Sequence, residues 1–216
     1  MSRYRLSGFI RHRLAPALMA CAGLGTMAGC GDPGAPVQAA TPQAKAGNSV
    51  VLAPEDSDRL WVFAESPEHL GSGGELHIFI DPEHYPAAAA SFAKFSLGPG
   101  GELPVHRHDK TEEVGYFTDG EGVVTLFPHG EKKEIPVRPG HVVYIAPGEW
   151  HALRNTGQAP FSLVFATVPN EKKGLLSFFR RIGAPPGQAA ATYDEQTFSR
   201  LAREHDLILK GTEKEP

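Results

Sequence analysis

The chain has 216 residues, of which 41% are hydrophobic and 21% are charged, and its formal net charge is −4 at pH 7. This composition is typical of a soluble globular protein, and the length allows one well-buried domain with tails or two very small domains. The acidic balance argues against nucleic acid as a partner. The 24 glycines and 19 prolines favour many short strands joined by tight turns.

The first 29 residues have the features of a secretory signal peptide. Four arginines precede an apolar stretch, Leu14 to Ala28, that is too short and too interrupted for a good membrane span. The stretch ends in Met27-Ala28-Gly29-Cys30, which resembles the bacterial lipoprotein box with Met27 in place of the usual leucine. We therefore predict lipid attachment at Cys30 and an exported lipoprotein, anchored to a membrane on the periplasmic side. Ordinary cleavage near Ala28 or Ala40 is the alternative.

Cleavage before Cys30 changes the charge and the cysteine content of the mature chain. It leaves 17 basic residues against 25 acidic ones, a net charge of about −8, which strengthens the case against nucleic acid. Cys21 is removed and Cys30 carries lipid, so no cysteine pair remains for a disulfide. Residues 30–54, rich in proline, alanine and glycine, are expected to form a flexible lipid-anchored linker.

The pattern from residue 55 to residue 168 is all-β. Short runs rich in β-branched and aromatic residues are separated by turns that contain glycine, proline or asparagine, as in a sandwich or barrel. The predicted strands are Leu60–Ala64, Leu76–Ile80, Ser91–Leu97, Glu113–Thr118, Val123–Phe127, Lys133–Val137, His141–Ala146, Trp150–Leu153 and Phe161–Val168.

The hydrophobic period changes in the tail, residues 169–216, where two short helices are predicted. Gly183 is a suitable end for the first helix, and Thr192 with Glu195 has the spacing of a capping box at the start of the second. We expect both helices to pack on the barrel exterior or on a dimer partner. The residues at helical spacing are Leu175, Leu176, Phe178, Phe179 and Ile182 in the first helix, and Phe198, Leu201, Ala202 and His205 in the second.

Three histidines and one glutamate stand in two glycine-bounded, strand-like segments. His106 and His108 are two residues apart, so their side chains point to the same face of a strand. A turn brings Glu113 onto the next strand, and His151 arrives from a later one. Three imidazole nitrogens and a carboxylate oxygen suit one divalent transition metal ion, Fe, Mn, Ni, Co, Cu or Zn, with room for water or substrate. These four residues are the candidate metal ligands.

The spacing of these residues resembles the two motifs of the cupin superfamily. The first motif is Gly100-x5-His106-x-His108-x4-Glu113-x6-Gly120, and the second is Gly140-x7-Gly148-x2-His151-x3-Asn155. The resemblance implies a jelly-roll β-barrel that holds a metal ion inside, and every ligand position matches. One departure is Ala146, where the second motif usually has a proline, although Pro147 follows at once.

Glu112 adjoins Glu113, and a loose alignment to the first motif would allow either as the ligand. The six-residue spacing to Gly120 selects Glu113, and strand parity then turns Glu112 outward to solvent or to a surface pair. By the same parity Gly115 and Phe117 are predicted to face the cavity, with Gly115 leaving space near the metal.

Further segments look like bacterial single-domain cupins related to quercetin dioxygenases, over roughly residues 55–210. They are Arg59–Phe63, Trp150–Gly157, Leu176–Gly183 and Leu201–Arg203. The resemblance implies a metal-dependent oxidoreductase of the dioxygenase type that acts on a small enolic or phenolic substrate, and a possible homodimer. Glu113 could both bind the metal and remove the substrate hydroxyl proton. A non-catalytic, metal-dependent binder of a small ligand and a metal-dependent isomerase or lyase are the alternatives.

Overall fold

The computed structural model describes residues 49–212. The predicted signal peptide, Cys30 and most of the linker lie outside the described residues. Within residues 49–212 no helix combines the length and the apolar character that crossing a membrane requires.

The described residues form an all-β fold with two short helices, as the sequence predicts. The strands are β1 (Asp58–Val62), β2 (Gly74–Ile80), β3 (Ser91–Leu97), β4 (Glu102–Arg107), β5 (Glu112–Asp119), β6 (Gly122–Leu126), β7 (Lys133–Val137), β8 (Val142–Ile145), β9 (His151–Asn155), β10 (Phe161–Val168) and β11 (Ile208–Leu209). A six-stranded antiparallel sheet has the order β1-β2-β3-β10-β5-β8, and a five-stranded one has the order β11-β4-β9-β6-β7. This architecture is that of a jelly-roll barrel.

The core lies between the two sheets and follows the two-residue period of the strands. In β3, the side chains of Ala93, Phe95 and Leu97 are buried while those between them are less so. Phe117 of β5 and Phe161 of β10 are fully buried and stacked, with ring centroids 5.1 Å apart. Each such side chain contributes roughly 1.5–3 kcal/mol through removal of apolar surface from water.

Asn155 connects the two sheets at the end of β9. Its Nδ2 donates to the backbone oxygens of Leu97, 2.9 Å away on β3, and of Ala159, 2.8 Å away. Its Oδ1 accepts from the backbone nitrogen of Gly157 at 2.9 Å. A buried amide with three partners holds the sheets at a defined offset, because any displacement would leave these polar groups unpaired.

The two helices are α1 (Leu175–Ile182) and α2 (Glu195–Glu204). The predicted capping box at the start of α2 is wrong, because the N-cap is Asp194, whose side chain accepts from the backbone nitrogen of Thr197 at 2.8 Å. Both residue types are favourable at the N-cap of a helix, and aspartate ranks at least as high as threonine there.

The packing of α1 also differs from the prediction. Phe179 stacks on Phe95 of β3, with ring centroids 6.0 Å apart, and Phe178 contacts Phe198 of α2 edge-on at 5.6 Å. The side chain of Phe95 belongs to the inner face of its sheet. The helices therefore contribute side chains to the core and to the same cluster as the inner face of the sheet, rather than lying on the exterior.

The outer face of the six-stranded sheet carries an exposed apolar patch. Val114 and Tyr116 of β5 lie directly beside Tyr144 and Val142 of the edge strand β8, and each of the four side chains is at least 49% exposed.

Candidate metal centre

Two neighbouring strands of the five-stranded sheet bring the predicted histidines together. His106 lies near the end of β4, and His108 follows two residues later, with its side chain on the same face. His151 is the first residue of β9 and is paired directly with His106 in the ladder. The two motifs therefore meet because β4 and β9 are hydrogen-bonded neighbours.

The turn before β9 aims His151 at this point. Gly148 has a φ of +81°, a conformation that favours glycine, and its backbone nitrogen donates to the carbonyl oxygen of His108 at 2.6 Å. This hydrogen bond ties the turn to the end of the segment that carries the other two histidines. The glycine of the second motif thus has a direct mechanical role in placing His151.

The three imidazoles form a compact buried cluster. One ring nitrogen from each of His106, His108 and His151 lies within 4.8 Å of the other two, and each residue is at most 4% exposed. Such spacing lets three nitrogens contact one ion placed between them at normal bond lengths of about 2.0–2.1 Å.

Each imidazole is oriented by a hydrogen bond through its other nitrogen. The Nδ1 atoms of His106, His108 and His151 lie 2.7, 2.7 and 3.0 Å from the backbone oxygens of Pro104, Asp206 and Glu149, respectively. A carbonyl oxygen only accepts, so each Nδ1 carries the proton and each Nε2 keeps a free lone pair. Metal-binding histidines are commonly oriented in this way.

The buried lone pairs show that these residues fit a metal ion. Among the described residues, the Nε2 atoms of His108 and His151 are the two buried side-chain nitrogens or oxygens that have no hydrogen-bond partner. An unpaired buried acceptor costs about 1–3 kcal/mol, and two on facing rings require a common explanation. Coordination to one cation satisfies both atoms.

Glu113 comes from β5, across the barrel from the histidines. Its Oε2 lies 3.3 Å from Nε2 of His151, although Glu113 is not part of the mutual 4.8 Å cluster. Glu112 points outward and accepts a hydrogen bond from the hydroxyl of Tyr144 at 3.1 Å. The structure thus places the two adjacent glutamates on the faces that strand parity predicts.

The charge states of these groups suit metal binding. Burial, helped by the proximity of His151 and His108, holds the pKa of His106 well below its usual value. Burial also lowers the pKa of His108. For Glu113 burial acts to raise the pKa, but the nearby His151 and His108 outweigh it and the pKa is lowered. At neutral pH His106 and His108 are therefore neutral and Glu113 is ionised, which are the forms that bind a metal ion.

A cavity of about 60 Å³, enough for a few water molecules, adjoins the cluster. Its polar lining is concentrated at His106, Glu113 and His151, and no lysine or arginine is among the described residues that line it. The remaining wall is almost wholly apolar and contains six phenylalanines: Phe63, Phe95, Phe165, Phe178, Phe179 and Phe198.

The two residues predicted to face the cavity differ in their placement. Gly115 lines the cavity, but the space that a β-carbon would occupy there is taken by Leu163, 2.8 Å away, and by Val143. Phe117 is not part of the wall and stacks instead on Phe161 in the core. The missing side chain at Gly115 therefore leaves room for Leu163 to pack, and it does not open space beside a metal ion.

Sequence reasoning missed what the C-terminal segment adds to the site. Leu207 and Leu209 line the cavity, β11 pairs with β4, and the carbonyl of Asp206 orients His108. Because 98 residues separate Asp206 from His108, no local pattern connects them. The one sequence feature that points to a special role for Asp206 is its position just after the end of α2, where glycine is the commonest residue.

Comparison with known proteins identifies the family. The cupin domain family matches residues 93–167. An oxalate-binding protein of Thermotoga maritima is 33% identical over 100 residues, which are 45% of this chain and 79% of that relative. The chain belongs to the cupin family. The three-histidine cluster at the join of the two motifs makes it a cupin with a metal-binding site.

Other known proteins resemble parts of the chain. Protein SchB of Streptomyces halstedii is 29% identical over 117 residues, 53% of this chain and 80% of that protein. A predicted oxalate decarboxylase of Thermotoga maritima has a structure with a TM-score of 0.46 and 24% identity, covering 56% of this chain and 99% of its own. The specific resemblance to quercetin dioxygenases stays a prediction.

Proposed function

We propose that this cupin is a metal-dependent oxidoreductase of the dioxygenase type that acts on a small enolic or phenolic substrate. The observation that carries the proposal is the placement of an imidazole cluster with free lone pairs, and of Glu113, at one end of an otherwise apolar cavity. His106, His108 and His151 would hold the metal ion, with Glu113 as a fourth ligand or a neighbouring base.

The residues around the site have separable roles in such a reaction. A bound transition metal supplies a Lewis acid for the substrate oxygen and a route for reaction with O₂. Glu113, ionised and facing the cavity, is suited to accept the proton of the substrate hydroxyl. The phenylalanine-rich wall excludes water, which protects a reactive enolate from protonation by solvent.

The cavity wall supports an apolar substrate body. A dicarboxylate such as oxalate brings two negative charges, and the described wall offers them no lysine or arginine while presenting the carboxylate of Glu113. Burial of unpaired charge is unfavourable, so a dianion depends on the metal alone. A small enol or phenol would place one oxygen at the histidines and its apolar part against the phenylalanines. A phenol ring requires these side chains to move apart, because a cavity that binds benzene measures about 150 Å³.

The second candidate function is non-catalytic binding of a small ligand through the metal. It is favoured by the 33% identity to a protein named as oxalate-binding. In that case the same four residues would hold the ion, and a ligand oxygen would complete its coordination without turnover.

Oxygen consumption separates the two candidates. The purified protein is loaded in turn with Fe, Mn, Ni, Co, Cu or Zn and tested for O₂ uptake with a panel of enols, catechols, flavonols and oxalate. We expect metal-dependent uptake with at least one enol or phenol, and none with the H106A variant. Saturable ligand binding in calorimetry, without O₂ uptake or product, would instead establish the binding function.

We also propose that the protein is an exported lipoprotein, anchored to a membrane through Cys30. Support comes from the arginine-rich start, the apolar stretch and the Met27–Cys30 box in the sequence. In a bacterial host, Cys30→Ser should move the protein from the membrane fraction to the soluble fraction. Retention of that variant on membranes would refute lipid anchoring.

A homodimer remains part of the proposal. The exposed patch of Val114, Tyr116, Val142 and Tyr144 supports it, because few monomers expose such contiguous apolar side chains. The molar mass measured by light scattering during gel filtration tests this point, and a monomeric value across micromolar concentrations would contradict it.

A further inference from the structure

We propose that Asp206 is a positioning residue for the metal site, so that the segment after α2 sets the geometry and affinity of metal binding. The inference rests on the proposed metal centre. It concerns a residue outside both cupin motifs, about 100 positions from the histidine that it contacts.

Asp206 holds His108 in place through its backbone. Its carbonyl oxygen lies 2.7 Å from Nδ1 of His108, and this hydrogen bond fixes the ring orientation and the tautomer that leaves Nε2 free. The corresponding carbonyls for His106 and His151 belong to Pro104 and Glu149, which are two residues away on the same segments. His108 alone of the three depends on a distant part of the chain for its orientation.

The carboxylate of Asp206 holds the turn that joins β4 to β5. Oδ1 accepts from the backbone nitrogen of Asp109 at 3.0 Å, and Oδ2 accepts from that of Lys110 at 3.1 Å and from the hydroxyl of Thr111 at 2.8 Å. Hydrogen bonds to a carboxylate are stronger than those between neutral groups. This turn lies between His108 and Glu113, so its conformation sets the distance between the two.

The backbone conformation shows that the side chain is needed. Asp206 has a φ of +59° and follows the end of α2, where the nitrogens of Asp206 and Leu207 donate to the carbonyls of Arg203 and Ala202. This is a Schellman motif, and its left-handed position is usually glycine because other residues are strained there. Aspartate tolerates the conformation better than most, yet a glycine would satisfy the helix end at lower cost. The three contacts of the carboxylate explain why an aspartate rather than a glycine occupies this position.

This conformation yields a variant that separates the two roles. In Asp206→Gly the backbone angle is relieved, so the end of α2 is retained, while the three contacts of the carboxylate are lost. Asp206→Asn keeps a side-chain oxygen and tolerates the positive φ, so it should restore much of the effect. Asp194→Ala is the matched control, because it removes the N-cap of the same helix and is expected to leave His108 unaffected.

Two measurements test the proposal on the full chain. The first is affinity for Co²⁺ and Zn²⁺ by competition with a chelator, together with the visible spectrum of the Co²⁺ form. We expect Asp206→Gly to weaken affinity by about 10–100-fold and to alter the spectrum, with partial rescue in Asp206→Asn. Asp194→Ala should show wild-type affinity. Equal losses of metal affinity in Asp194→Ala and Asp206→Gly would show that Asp206 only stabilises the C-terminal segment. That result would overturn the proposal.

The second measurement needs no metal. Imidazole nitrogen signals of the metal-free protein, at a pH where the rings are neutral, report the His108 tautomer. We expect the wild type to show Nδ1 protonated and Asp206→Gly to show a mixture of tautomers. A wild type that takes up no metal would refute the metal centre, and these signals would still decide the role of Asp206. Wild-type signals together with wild-type affinity in Asp206→Gly would refute the inference.

Discussion

His106 and His151 are a directly opposed residue pair in the β4–β9 ladder, and their ring centroids are 4.2 Å apart. The pairing shifts between Leu103 and His106, so an irregularity in the ladder precedes the pair. A slip of one residue would turn His151 to the other face of the sheet. The metal site therefore depends on strand register as much as on the identity of its residues.

Replacement of His106 or His151 by alanine should abolish stoichiometric metal retention. Each variant removes one of three nitrogens that converge within 4.8 Å. Elemental analysis after gel filtration measures metal per chain, and we expect values near one for wild type and near zero for the variants. Metal should also raise the melting temperature of wild type only, because a ligand present at 100 times its Kd stabilises a protein by about 2.7 kcal/mol.

His141→Ala is the control for these variants. His141 is exposed and its Nδ1 contacts the backbone oxygen of Arg138, so its removal should leave the metal content unchanged. Wild-type metal content in both His106→Ala and His151→Ala would show that the ion binds elsewhere.

Glu113→Gln should separate metal binding from chemistry. The amide keeps the size of the carboxylate while it loses the negative charge and the basic oxygen. Because the three histidines remain, we expect most of the metal to be retained, with O₂ uptake reduced by about 10²–10⁴-fold. Elemental analysis and oxygen-electrode rates measure the two quantities. Undiminished O₂ uptake would exclude Glu113 as the base.

Glu112→Gln is the adjacent control, since Glu112 lies on the outer face and contacts Tyr144. It should preserve both metal content and rate. A loss of activity in this variant, with Glu113→Gln active, would reverse the assignment of the two glutamates.

The distinction between these glutamates could be predicted because strand parity is a local property. Successive side chains alternate between faces, so the placement of Glu113 inside dictates that Glu112 is outside. The same rule predicts Phe117 inside, which is correct for burial, but parity does not distinguish the cavity wall from the packed core. Phe117 is in the core because Phe161 from β10 covers it.

Contacts between distant segments account for what the sequence did not predict. The helical spacing of Phe178 and Phe179 indicates α1 correctly, but the surface that the helix covers depends on its contact with Phe95, more than 80 residues earlier in the chain. The two-residue strand β11 is too short to show a period and exists through its pairing with β4. The role of Asp206 could not be predicted for the same reason, since the groups that its carbonyl oxygen and carboxylate contact lie at least 95 residues away, in the turn after β4.

Asn155→Ala should destabilise the fold by about 1–3 kcal/mol without a direct effect on the metal ligands. The substitution leaves the buried carbonyl of Leu97 without its partner and also removes the hydrogen bond to the carbonyl of Ala159. Chemical denaturation of the metal-free protein measures the change in the free energy of unfolding. Thr156→Ala, at an exposed neighbour, should change it by less than about 0.5 kcal/mol. A change that small in Asn155→Ala would show that the sheets are held together by packing alone.

The decrease in the free energy of unfolding at acidic pH should depend on Asp81. This carboxylate is 1% exposed; burial acts to raise its pKa, but Arg180 and His84 outweigh burial and lower it. Asp58 and Glu83 also face Arg180, and Asp58 faces His84. Because the pKa of Asp81 is lower in the folded state, its stabilising contribution is present above the unfolded value of about 3.9 and is lost as the pH falls through the folded value.

Asp81→Asn should therefore lower the free energy of unfolding at pH 7 by about 3 kcal/mol and flatten its decline below about pH 4. Urea denaturation of the metal-free protein at a series of pH values measures both effects. Glu83→Gln is the matched control, because Glu83 also contacts Arg180 but is 66% exposed, and surface ion pairs contribute at most about 1 kcal/mol. If the free energy of unfolding of Asp81→Asn fell as steeply below about pH 4 as that of wild type, the loss of stability in acid would be due to other carboxylates.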